Sequence, residues 1–148
     1  MRFTTIAAAT VLAGVALGSV FAATGGTHDS RIALMKKNGA AAGALAAIAK
    51  GDKPFDAAAV KAALTTIAET TKAFPDEFGP GSDMKDSEVN QKIWANIDDF
   101  RGKADKLVGT VQTALADPPA DQAAVGALLK NIGAGCGACH EIYRVKKD

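Results

Sequence analysis

The sequence predicts an all-α fold, an antiparallel four-helix bundle, on three observations. Apolar residues make up 48% of the 148-residue chain but aromatic residues only 5%, and its alanine runs favour closely packed helices over a sheet. No stretch alternates apolar and polar residues in the manner of a half-buried strand. Four amphipathic stretches are separated by proline, glycine and aspartate, and helices joined by short links pack best as an antiparallel bundle. The length suits one domain with a single core. A net charge of +1, from 17 basic and 16 acidic residues, supplies no basic stripe for nucleic acid.

Residues 1–22 stand apart as an expected signal peptide. Met1-Arg2 gives a positive start, Ile6 to Val20 a mildly apolar stretch, and Val20-Phe21-Ala22 the small residues that a signal peptidase reads. An uncleaved membrane anchor is the alternative, since about 20 apolar residues can span a bilayer. Thr4, Thr5, Thr10, Gly14, Gly18 and Ser19 weaken that stretch. Cleavage after Ala22 leaves residues 23–148 as the bundle domain, a soluble protein exported to the periplasm.

The first helix runs from about Asp29 to Lys50, capped by Asp29 or Ser30 and ended by Gly51. Pro54 or Asp56 opens the second, whose face reads Val60, Leu64, Ile67, Ala68, and it stops before Pro75. Residues 74–86 are dense in turn formers and read as a loop. Asp86 or Ser87 then caps a long third helix to about Ala116, with a stripe of Ile93, Ile97, Phe100, Ala104, Leu107, Val111 and Leu115. Asp117-Pro118-Pro119 breaks the chain. The fourth helix carries Val125, Leu128, Leu129, Ile132, Cys136, Cys139 and Tyr143 on one side.

Cys136-Gly137-Ala138-Cys139-His140 is the one strong motif. Cys-x-x-Cys-His is the attachment signature of c-type haem. At about 100° per residue the three side chains fall within roughly 100° of one another on a helix. Two thiols there can add to the two haem vinyl groups while the imidazole reaches iron. A structural zinc site needs about four protein ligands, and two cysteines, His140 and the distant His28 supply it poorly. A thioredoxin-like pair belongs in a strand–helix context, and a disulfide closing so short a loop stabilises little. One covalently attached haem c, near one end of the bundle, is therefore the expected cofactor.

With the motif at the end of the last of four helices, and continuing Glu141-Ile142-Tyr143-Arg144, the chain resembles the class II c-type cytochromes, the cytochrome c-prime family. The stretches Arg31-Ile-Ala-Leu-Met35-Lys-Lys-Asn38-Gly39 and Lys50-Gly-Asp-Lys-Pro54-Phe-Asp56 and the pair Ile93-Trp94 are similar to that family as well. The resemblance implies His140 as proximal iron ligand. It also implies a choice at the sixth position between an open, high-spin iron that binds nitric oxide or carbon monoxide and a low-spin iron ligated by a methionine from the first helix. Asn38-Gly39 and the link between the first two helices look more like the low-spin branch.

From the residues themselves, Met35 shares a stripe with Ile32, Gly39 and Ala42 and points inward. It can ligate iron or merely fill space. Met84, in the loop, and His28, read as an exposed residue near a frayed start, are the other sixth-position candidates. The resemblance places Arg31 at a haem propionate and Arg144, one turn beyond His140, close to the histidine ring; a solvated surface arginine is the plainer reading of each. Phe78, Trp94, Phe100 and Tyr143 are candidates for the pocket wall or for ordinary core. The expected function, on the resemblance to the methionine-ligated branch, is one-electron transfer with redox partner proteins, with gas binding at an open iron as the alternative; no acid–base constellation accompanies the motif, so no enzyme is expected. Whether two copies pair is left open.

Overall fold

The structure, a computed structural model, describes residues 25–82, 85–86 and 88–145. The expected leader at 1–22, Met84 and the Ser87 cap lie outside the described residues. Four long helices form the bundle: α1 His28–Lys50, α2 Ala57–Ala73, α4 Ile97–Ala116 and α5 Gln122–Tyr143, with a short α3 Lys92–Ala95 leading into α4. Each long helix packs against two others, in the order α1, α2, α4, α5 and back to α1. The bundle is antiparallel, as expected.

The helix ends follow local chemistry. α1 begins one residue earlier than expected, and its cap is Thr27, not Asp29 or Ser30. Thr27 Oγ1 accepts from the Ser30 N–H at 3.2 Å while Ser30 Oγ accepts from the Thr27 N–H at 2.9 Å. This reciprocal pair satisfies two donors that a helix start leaves open. Gly51 ends α1 at φ 83°, a left-handed conformation that costs glycine little. Asp56, not Pro54, caps α2 by accepting from the Ala58 and Ala59 N–H groups. Asp121 caps α5 through the Ala124 N–H.

Two elements differ from the sequence reading. Residues 74–86 are not all loop, because Phe74–Phe78 forms a 3-10 helix directly after α2. Pro75 lies in its first turn, where the missing N–H removes no bond. The third long helix does not start at Asp86. Asp86 is buried, accepts from the Glu88 N–H at 2.9 Å and pairs with His28 and Arg31. Beyond it the chain lies against the end of α5: the Asn90 N–H donates to Tyr143 O at 2.8 Å and the Val145 N–H to Glu88 O at 3.0 Å. Backbone groups held in that strap are not available to a helix, so helix starts at Lys92. It breaks once more at Asn96, whose side chain donates to Lys92 O at 2.8 Å.

The core has two parts. Leu45, Val60, Leu64, Val111, Val125 and Ile132 form an aliphatic cluster with almost no exposure. Phe78, Ile93, Phe100 and Tyr143 form an aromatic one. The α4–α5 crossing is tight at Gly135, where a Cβ would lie 2.9 Å from Leu107 Cδ1. Leu64→Ala should lower the unfolding free energy by about 2–5 kcal/mol with an unchanged denaturant slope, because the void at a fully buried leucine collapses only partly. Urea titration of the holoprotein measures it.

Candidate haem site

Between the two clusters lies a mostly apolar cavity of about 450 Å³. α1 walls it with Ile32, Met35, Asn38, Gly39 and Ala42; α2 adds Ile67 and Thr71, and α4 adds Phe100, Ala104 and Leu107. α5 contributes Ile132, Gly135, Cys136, Cys139, His140, Tyr143 and Arg144. The α1 residues are the inward stripe at steps of three and four; the α5 residues follow the same periodicity. Two thiols, one imidazole and one thioether thus border a single space.

The chemistry of these groups fits a large apolar cofactor. Both cysteines are free and partly buried, and desolvation pushes their thiols up. Partial burial and the nearby Arg144 charge hold His140 below the ordinary imidazole value. It is therefore neutral at pH 7, the form that ligates metal. Tyr143 is 5% exposed and donates its hydroxyl proton to Asp99; burial, then that carboxylate, push it up to about 12. Along the α1 wall, a Cβ added to Gly39 would meet nothing within 4 Å. The cavity therefore has room for a flat ring, with groups placed to attach it. Among the described residues no three His, Cys, Asp or Glu side chains are grouped to hold a bare metal ion.

Cys136, Cys139, His140, Met35, Arg31 and Arg144 all border this cavity, though not in the same way, and His28 is not part of its lining. Arg144 is exposed. Arg31 is 2% exposed, and its guanidinium is engaged by the protein. Nε and Nη2 donate to Glu77 O at 3.2 and 2.8 Å, Nη2 to Gly26 O at 3.2 Å, and Nη1 to Asp86 Oδ2 at 3.1 Å. Its carbon centre stacks 4.4 Å from the Phe78 ring centroid. Arg31 thus clamps the start of α1 to the 3-10 helix and to the strap. Phe78, Phe100 and Tyr143 are pocket wall as well as core. Trp94 is instead behind the wall, packed on Phe78 at 5.9 Å.

Sequence reasoning missed Asp86, Glu88 and Val89, which close one side of the cavity. It also misjudged His28, which is not a frayed-end residue: its Nδ1 lies 2.8 Å from Asp86 Oδ1. The Thr27-x-x-Ser30 cap was a legible hint that helix begins at His28. Asp86 carried only the signal of a helix cap.

A bundle that seats Cys-x-x-Cys-His on its last helix, beside an apolar cavity, has the build of a c-type cytochrome. The chain belongs to the cytochrome c-prime family: the family model described as Cytochrome C' matches residues 27–144. Its cofactor is haem c. The chain is 67% identical over 126 residues to cytochrome c-556 of Agrobacterium tumefaciens (strain apple 185), covering 85% of this chain and 100% of that one. An NMR-validated structure of oxidised cytochrome c556 from Rhodopseudomonas palustris is similar at TM-score 0.71 and 36% identity, over 82% of this chain and 97% of that one. The nitric oxide complex of an Alcaligenes xylosoxidans cytochrome c-prime variant is similar at TM-score 0.69 and 26% identity, over 80% and 93%.

Proposed function

We propose that the chain is an exported single-electron carrier in which Cys136 and Cys139 would hold the haem through thioethers and His140 and Met35 would ligate its iron. The observation that carries this reading is the meeting of Met35, from α1, with Cys136, Cys139 and His140, from α5, at one cavity. Bound there, the haem supplies a one-electron Fe(III)/Fe(II) couple. Met35 would close the remaining coordination position against water and gases, and His140, neutral in this setting, would offer its ring nitrogen. The lining they share is mostly apolar.

The leader at 1–22 belongs to this proposal. The match to the Agrobacterium relative spans 126 residues, the length left when 22 of 148 are removed. Among the described residues no helix is long and apolar enough to cross a membrane. A periplasmic carrier accords with the length of that match.

Optical spectra of the purified protein in both oxidation states test the reading. Low-spin iron in both, with slow uptake of carbon monoxide, supports it. High-spin iron that takes carbon monoxide freely favours the second reading, a gas-binding protein like the nitric oxide-binding neighbour. Arg144 supplies a further check. It borders the cavity, and its charge already disfavours a proton on His140. A cation there favours Fe(II), so Arg144→Gln should lower the reduction potential with spin state unchanged. Spectroelectrochemical titration measures it.

A further inference from the structure

His28 is placed to exchange a proton with solvent and to pass its charge to the cavity wall. Its side chain is 41% exposed, whereas Asp86, 2.8 Å from Nδ1, is 2% exposed. The other Asp86 oxygen meets Arg31 Nη1 at 3.1 Å, and Asp86 and Arg31 both border the cavity. His28 also precedes Met35 by two helical turns, roughly 10 Å along the axis of α1. We propose that His28 is a redox-linked proton site: when the chain accepts an electron, the ring binds solvent protons more tightly, and when it gives the electron up, it releases them.

The charge balance is simple. The electron comes from a one-electron donor, the proton from water or buffer, and the proton rests on the imidazole ring. No bond to carbon forms or breaks. With iron one unit less positive, a cation at His28 is repelled less. Partly screened over roughly 10–15 Å, that difference amounts to about threefold in proton affinity.

The surroundings keep the titration with His28. Asp86 and Glu88 face it from the strap, and Asp29 lies beside it on α1; the Asp86 hydrogen bond raises its pKa most, desolvation lowers it, and the charges of Asp86, Glu88 and Asp29 raise it further. Asp86 itself stays ionised. Burial pushes it up, but hydrogen bonds from the Glu88 N–H, His28 and Arg31 outweigh that and hold it below the usual carboxylate range. Arg31 meets the other Asp86 oxygen, and Lys85 is exposed. The sequence has two histidines, and the proposed function commits His140 to iron.

The inference rests on the electron-carrier reading, and its test separates the two. Proton NMR should follow the His28 ring through a pH titration of the oxidised and the reduced holoprotein. The midpoint should lie at higher pH in the reduced state, by the threefold change in affinity. The wild-type potential should fall as pH rises through that region, and His28→Gln, which keeps a donor for Asp86 but cannot titrate, should flatten the fall. A purely structural His28 would move the potential equally at every pH. Equal midpoints in the two states, or the same pH-dependent fall in His28→Gln, would overturn the proposal. If the variant does not fold, the wild-type NMR titration alone decides. A high-spin wild-type spectrum would sink the Met35 ligation and leave the His28 measurement readable, because it reports only the charge on iron.

Discussion

Replacing Cys136 and Cys139 together with alanine should leave almost no stable holoprotein. The thioethers proposed at these positions are what keeps the haem in its cavity, whose lining includes the exposed Arg144. Without them the haem is held by axial bonds and contacts alone and can dissociate. The walls do not close readily behind it. Left without haem, the apolar lining of a cavity of about 450 Å³ loses its packing partners, and the whole stability of a small domain is only about 5–15 kcal/mol. Acid–organic extraction should leave all colour with the wild-type polypeptide, whereas any haem on the variant should enter the organic layer. A variant that kept its colour through extraction and melted with the wild type would refute the covalent assignment.

The fold was legible where its cause is local. Asp56 and Gly51 end or begin helices through bonds made within a few residues, and the stripe of Ile97, Phe100, Ala104, Leu107 and Val111 needs only a period of 3.6. The strap was not legible. Asp86 looks like an N-cap in sequence, and its carboxylate does accept a nearby backbone N–H, that of Glu88. What it builds instead of a helix depends on His28 and Arg31, more than fifty residues away. Local propensity is a weak prior once a buried charge finds distant partners.

The candidate site divides along the same line. Cys136, Cys139 and His140 occupy little more than one helical turn, so the sequence alone brings them together. Met35 required one further step, that its helix packs against α5; the apolar stripe turned it inward, and the family resemblance pointed it to the haem. Arg31 shows the limit of that reasoning. Its position beside the cavity was foreseen, but its donors turn to Glu77, Gly26 and Asp86, and no helical pattern announces that.

Met35→Ala should produce the largest functional change in the protein. A thioether is a soft, neutral ligand that binds Fe(II) better than Fe(III), so a methionine at the sixth position favours the reduced state. Alanine cannot reach iron from α1, and Ile32, Gly39 and Ala42 on the same stripe carry no ligating group. The iron should become largely high-spin, the potential should fall, and carbon monoxide should bind readily instead of waiting for a ligand to leave. Met35→Leu separates ligation from filling, because it restores volume without sulfur. If Met35 is a ligand, the leucine variant should be high-spin too, though slower than the alanine variant to admit gas. If Met35 only fills space, wild type and Met35→Leu should share a high-spin spectrum and nearly the same potential. That result would retire the electron-carrier assignment in favour of gas binding, while leaving the bundle, the haem and the Cys136–His140 motif where they are.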